Sequence, residues 1–413
     1  PVPLSGSVDE PGVKALRVEV SAESDDGDDL QLRYPVTVVV REGGPRLDIV
    51  NFSFHHGMLG LLPREIVELE IRLHQEKVKE EFGVGALSDG FFPPEMAFST
   101  RLIPVLDELG IEWTIVSSEK IARACPDFPL VLGTGGVNCD PPNRADQINP
   151  NGEEFLRDHI DRGCSPVAAN PLSYQPAYAK YVDPETGAES KVIVVPADQV
   201  WSWRDGYGMI DATFLGEDLA PRNDPDQPSL VVLSHDGDNA WGGGYSYYME
   251  NVSAVAGSAA SQGYEATAIE QYLSEFPPNP SKVIHVEDGA WVNADSDFGS
   301  PTYINWNYPL LDSNGNIDPV NGWHEKAREM AIFVEALNRV LTAQQLEGHT
   351  PDLQQILHPS DQTHAVDRGW HYLLGSLDSG NTYYGTPLDM EVKGTVGCNE
   401  AFEHVDPIIT DPA

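Results

Sequence analysis

One pattern governs what this chain can fold into. Short apolar runs break off into polar, chemically capable residues, and a helical period leads from one run to the next. LDIVNFSF (47–54) is followed by a helical segment from Arg64 to Phe82, in which Ile66, Leu69, Leu73 and Val78 recur at helical spacing. GFFPPEMAF (90–98) then reads as a strand end turning into a loop. Pro104 to Leu109 reads as a short helix and EWTIVS (112–117) as another strand. KVIVVPA (191–197), SLVVLSHDG (229–237) and KVIHVEDG (282–289) continue the series. Strands alternating with helices predict a parallel α/β arrangement. Strands whose C-terminal ends carry acids and histidines are how a barrel places its site.

The flanks read differently. Residues 1–46 alternate apolar and polar positions on both sides of SDDGDD, a β-rich hairpin pattern taken as the remainder of an upstream element. Residues 47–322 form the predicted barrel domain, with a loop-rich insertion near 125–180. Residues 323–413 form a helical C-terminal subdomain. Its first helix, Trp323 to Leu346, carries Ala327, Ile332, Val334, Leu337 and Leu341 on its apolar side.

Charge narrows the partners. Against 25 Lys and Arg stand 65 Asp and Glu, a formal net charge of −40. Such a surface repels phosphate backbones and anionic lipid, so nucleic acid and membrane surfaces are excluded as partners. No apolar run reaches the roughly 18 residues of a membrane span. Cys125, Cys139, Cys164 and Cys398 form no CxxC pair, which disfavours a zinc knuckle and leaves any disulfide pairing open. Export from the cell is the preferred localisation.

Several segments carry chemistry. Glu95 follows two phenylalanines and two prolines, a stiff and apolar frame for a carboxylate. LSHDGDNAWGGG sets His235, Asp236 and Asp238 at a strand terminus, with Gly237 allowing a sharp turn and Trp241 offering a flat stacking face. An Asp-Gly turn alone would carry little weight. VEDGAWVNADSDFGSPTYINWN mixes acids, amides and indoles, among them Trp291, Asp295 and Trp306, as a sugar site requires. Trp203, Asp378 and Tyr384 invite the same reading, though core aromatics explain paired rings nearly as well. In FSFHHG only one of the adjacent histidines can face inward, and His56 is taken as a substrate contact. Asp312, Asn314, Asn316 and Asp318 space oxygen ligands like part of a calcium loop, but lack its closing glutamate; a plain polar turn uses the same residues.

Two carboxylates presented from different strands are what glycosidic cleavage needs, one at the anomeric centre and one protonating the leaving oxygen. The segments GFFPPEMAFSTRLIPVLDELGIEWTIVS, LVVLSHDGDNAW, HVEDGAWVN and WHYLLGSLDSGNTYYG resemble those of glycoside hydrolase family 57, the amylopullulanase and α-amylase-like group. The resemblance implies Glu95 as nucleophile and Asp236 as proton donor. It puts Trp291 in a sugar-binding position and Asp378 near the substrate. It implies a (β/α)7 barrel with a C-terminal helical domain, and retention of configuration on α-glucans, by hydrolysis or transfer, with no cofactor required. The family's opening His-Gln-Pro strand is absent here, so the first barrel strand is expected on a missing part of the precursor or on a second chain. Two other readings stand beside this one. The Asp and His residues of SHDGDN and FHHG suit a metal-dependent polysaccharide deacetylase. Acidic loops with paired aromatics also suit a non-catalytic carbohydrate-binding or extracellular structural protein.

Overall fold

The structure is a computed structural model, and it describes residues 12–23, 29–41, 44–45, 48–83, 85, 87–122, 174–198, 201–202, 205, 210–213, 215, 220, 223–236, 248–284, 286, 288–290, 324–381 and 388–410. The N-terminal pattern forms a hairpin: β1 (Gly12–Glu23) pairs antiparallel with β2 (Asp29–Arg41), and β2 pairs with the short β3 (Gly44–Pro45). In the register Leu16 lies opposite Val36, Val18 opposite Tyr34 and Val20 opposite Leu32.

The second sheet positions the site. It comprises β4 (Ile49–Asn51), β5 (Leu87–Phe91), β6 (Trp113–Ser117), β7 (Ala177–Val182), β8 (Glu189–Ala197) and β9 (Val283–Ile284), in the order β4-β5-β6-β8-β7-β9. The β4-β5, β5-β6 and β6-β8 pairs are parallel, β7 runs antiparallel to β8, and β9 returns parallel to β7. Gly90 stands opposite Trp113 because the indole fills the space a Cβ would need, 2.0 Å from the ring.

Among the described residues the sheet is open, with β4 and β9 at its edges. Two strand expectations are corrected. Of SLVVLSHDG, the described stretch Ser229–Asp236 forms no ladder strand. It runs extended beside the sheet, tied by Leu230 N–H to the Tyr174 carbonyl (2.8 Å) and by Asp198 N–H to the Val232 carbonyl (2.9 Å). The end of the stretch read as loop-rich contributes β7, whose Ala-Tyr-Ala-Lys alternation becomes a strand by pairing with β8.

Helices cover the sheet. Helix α1 spans Arg64–Phe82, as its period predicts; it begins after Pro63, carries Glu65 in its first turn and Lys79 in its last, and stops at Gly83 with φ +95°. Helix α2 (Ile103–Glu108) precedes β6, and α3 (Ser118–Ala122) follows it. Two further helices, α4 (Tyr248–Ser261) and α5 (Ile269–Glu275), lie before β9. The C-terminal region is helical: α6 (His324–Glu347), α7 (Leu353–Leu357), α8 (Ala365–Gly375) and α9 (Leu388–Thr410). One apolar cluster joins sheet and helices, running from Ile66, Phe91, Leu106 and Val194 to Leu337, Val340, Trp370 and Val405. The C-terminal helices are thereby held against the α/β layer by buried apolar area, the main stabilising term in such a contact. Among the described residues, no helix is long and apolar enough to cross a membrane.

Candidate active site

Glu95 sits in a tight turn directly after β5. Pro93 and Pro94 fix the approach, and the Met96 and Ala97 amides close back on the Pro93 and Pro94 carbonyls at 2.9 Å each. The turn forces Glu95 to φ 58° and Met96 to φ 52°, left-handed conformations that side chains rarely adopt. Its backbone N–H donates to Asp236 Oδ1 at 3.1 Å, across 141 residues of sequence. Asp236 ends the extended segment that runs beside the sheet, and its side chain is fully buried, whereas that of Glu95 is 15% exposed.

A histidine lies between the two carboxylates. His56 Nε2 is 3.4 Å from Asp236 Oδ1, and His56 Nδ1 is 3.9 Å from Glu95 Oε1. His56 is likewise left-handed, at φ 60°, in a turn closed by its own N–H on the Ser53 carbonyl at 3.1 Å. The turn is built on a buried acid. Glu70 of α1, with no exposed surface, accepts from Ser53 Oγ (2.8 Å), the His55 amide (2.7 Å) and His55 Nδ1 (2.8 Å), while Ser53 Oγ accepts the Gly57 amide at 3.0 Å. His55 is thus turned to Glu70 and His56 to the carboxylates; the turn sets this opposition, since neither residue lies on a strand. Replacing Glu70 by Leu strands these donors. The expected result is a loss of about 2–4 kcal/mol in urea denaturation, with Glu70→Gln losing less.

The C-terminal helices supply a fourth side. Gly57 bridges to Asp378, and the Ser379 amide donates to the His56 carbonyl at 3.2 Å. Ser379 Oγ donates to Glu95 Oε1 at 2.8 Å and lies 2.9 Å from His56 Nδ1. Asp378 Oδ1 accepts the Gly380 amide at 2.8 Å, so this carboxylate shapes the turn that presents Ser379. A backbone bridge between Phe98 and Gly289, with Ala290 packed on Met58 and Ala97, brings Gly289 and Ala290 beside the Glu95 turn.

The candidates read from the sequence therefore divide. Glu95, Asp236, His56 and Asp378 are gathered at one place. His235, next to Asp236 on extended chain, points its Nε2 at Asp205 Oδ2 (3.0 Å); Asn251 donates to the other oxygen of that carboxylate at 2.6 Å. Asp238, Trp203, Trp241, Trp291, Asp295, Trp306, Tyr384 and the calcium-loop residues Asp312, Asn314, Asn316 and Asp318 lie outside the described residues. Sequence reasoning missed Ser379, Ser53, Glu70 and Asp205. Only Ser379 gave a signal, as the neighbour of Asp378 in an aromatic-rich turn.

His74 lies on the same helix as Glu70, its ring 6.2 Å from that of Phe52, which in turn is 5.4 Å from His56. Burial pushes the His74 imidazole down to about 4 from 6.5, outweighing the opposite pull of Glu70. The folded value lies below the unfolded one, so between them the unfolded chain binds the extra proton. Stability is full above about pH 6.5 and falls as the pH drops toward 4. Denaturation at pH 7.5 and pH 5 is expected to show a drop smaller by about 2 kcal/mol in His74→Gln than in the parent.

Among the described residues, the group of acids and histidines within reach of a shared ion is His349, His364 and Asp367, remote from Asp236 in sequence and on the C-terminal helices. The two imidazoles stack at 3.9 Å with planes 4° apart. An imidazole binds a metal along its ring plane, so parallel stacked rings cannot both aim at one ion. Each group already has a structural task. Asp367 accepts from His349 Nε2 (2.9 Å) and the Asp352 amide (3.0 Å), and His364 Nδ1 caps α8 by accepting the Val366 amide at 3.3 Å. The cluster is a joint between α6, α7 and α8.

Residues 43–133, which carry both His56 and Glu95, match the family described as Glycosyl hydrolase family 57. An alpha-amylase of Niallia circulans is 28% identical over 443 residues, covering 91% of this chain and 34% of its own length. The chain thus spans about a third of that relative. The solved novel exo-type maltose-forming amylase of Pyrococcus sp. ST04 superposes with a TM-score of 0.57 at 12% identity, over 88% of this chain and 63% of that one. The 4-alpha-glucanotransferase of Thermococcus litoralis gives a TM-score of 0.45 at 14% identity, over 87% and 46%. At such identities the likeness to the Pyrococcus amylase speaks for a shared α/β fold alone.

Proposed function

We propose that this chain carries the catalytic site of a glycoside hydrolase or transglycosylase of the family 57 type, acting on an α-glucan. The observation that carries the reading is the meeting of Glu95 and Asp236 on one histidine, from segments far apart in sequence. Glu95 is the nucleophile: it retains some solvent contact and receives the Ser379 hydroxyl, both of which suit a charged carboxylate. Asp236 is the acid: its side chain is removed from water and faces His56 Nε2, with which it can share a proton. The names of the similar amylases support an α-glucan as substrate.

The steps follow from these roles. Glu95 attacks the anomeric carbon while Asp236 gives its proton to the departing glycosidic oxygen. Asp236, now a carboxylate, takes a proton from water or from a sugar hydroxyl, whose oxygen then displaces Glu95 from the sugar. Two inversions leave the configuration retained. The open sheet is part of the (β/α)7 barrel that the family resemblance implies, with β4 and β9 as the edges at which closure would occur.

The test uses maltoheptaose. Proton NMR of early products is expected to show the α-anomer first, and a fluorinated glucosyl fluoride is expected to label the peptide that contains Glu95. Inverted product, or a label on another residue, overturns the assignment of roles. Binding of the oligosaccharide with no product formed favours a non-catalytic protein.

A further inference from the structure

We infer that Ser379 is a positioning residue, and that it sets which nitrogen of His56 shares a proton with Asp236; the consequence for turnover rests on the roles proposed for Glu95 and Asp236. A serine hydroxyl has one proton to give. Ser379 Oγ gives it to Glu95 Oε1 at 2.8 Å, where an ionised carboxylate can only accept. The same oxygen lies 2.9 Å from His56 Nδ1 and has no second proton, so it accepts there and Nδ1 carries the hydrogen. That tautomer turns Nε2 to Asp236 Oδ1, 3.4 Å away. With Asp236 protonated, the Nε2 lone pair faces its hydroxyl; with Asp236 ionised, an imidazolium N–H faces the carboxylate. One proton is then held by the His56–Asp236 pair, and Ser379 fixes the ring so that the pair can form. Phe52 packs at 5.4 Å and holds the ring plane, while neighbouring His55 is engaged by Glu70.

The backbone makes the placement robust. Ser379 reaches the site from the turn after α8, and its own amide is fixed on the His56 carbonyl at 3.2 Å. A residue whose only task was packing would not need a hydroxyl aimed between a carboxylate and an imidazole.

The experiment has two arms. In protein labelled with 15N at its histidines, with the His56 signals assigned by comparison with His56→Gln, the ring nitrogens of the parent are expected to report the Nδ1–H form. In Ser379→Ala they move toward the Nε2–H form, and Ser379→Thr restores the parent pattern. In the second arm, Ser379→Ala is expected to lower kcat on maltoheptaose about 10- to 100-fold, with KM changed less than about threefold and Ser379→Thr recovering most of the rate. A parent-like tautomer in Ser379→Ala overturns the inference whatever the activity. A changed tautomer in a protein that never turns over maltoheptaose leaves the positioning role standing and removes the proposed function.

Discussion

Glu95→Gln is expected to abolish turnover, by more than about a thousandfold in kcat, while oligosaccharide binding persists. The amide has nearly the shape of the carboxylate and leaves the Glu95 backbone N–H on Asp236 Oδ1 in place. What it removes is the negative charge and nucleophilic oxygen that must form the bond to the anomeric carbon. Ser379 can still donate to the amide oxygen, so the loss is of chemistry rather than of folding. Steady-state rates with isothermal titration of maltoheptaose check this. Turnover close to that of the parent would end the assignment of Glu95 as nucleophile.

Asp236→Asn is expected to lower kcat by about 10²–10⁴-fold, with a dependence on the leaving group that Glu95→Gln does not share. A proton donor matters most when the departing oxygen is a poor leaving group. On maltoheptaose the loss is therefore near the upper figure; on an aryl glucoside with an acidic phenol, the first step needs little protonation and the loss shrinks. The comparison of the two substrates in parent and mutant is the measurement. Equal losses on both would show that Asp236 holds the site together rather than supplying a proton. The structure makes that control necessary, because Asp236 Oδ1 is also the acceptor of the Glu95 amide.

Much of the fold was legible because it rests on local periodicity. Helix α1 begins and ends where the 3.6-residue pattern and the terminal Gly83 say it should. Strand β6 is likewise the apolar run WTIVS. The failures lie where pairing, not pattern, decides. Ser229–Asp236 has the composition of a buried strand but finds its partners in scattered contacts with Tyr174, Asp198 and Ser202 rather than in a ladder. Ala177–Val182 has a modest pattern and becomes a strand because β8 lies beside it.

The site divides the same way. Glu95 and Asp236 stand out in sequence because prolines, aromatics and glycines surround them. Glu70 cannot be singled out among the acids of α1, since only the fold shows that its carboxylate is buried against Ser53 and His55. The partner of His235 was hidden for the same reason. His235 sits in the motif of Asp236, yet the alternation of extended chain sends it to Asp205.

His56, Glu95 and Met96 are the non-glycine residues with positive φ among the described residues, and two of them belong to the candidate catalytic group, beside Asp236. Each such backbone costs of order 1–3 kcal/mol to hold. A lineage released from breaking glycosidic bonds would gain stability by drifting at these positions first, toward glycine or asparagine. Under the proposed function, a histidine at 56 and a glutamate at 95 are held where glycine or asparagine would cost less, and sequences in which these positions have relaxed are expected to be descendants that keep the scaffold for another purpose.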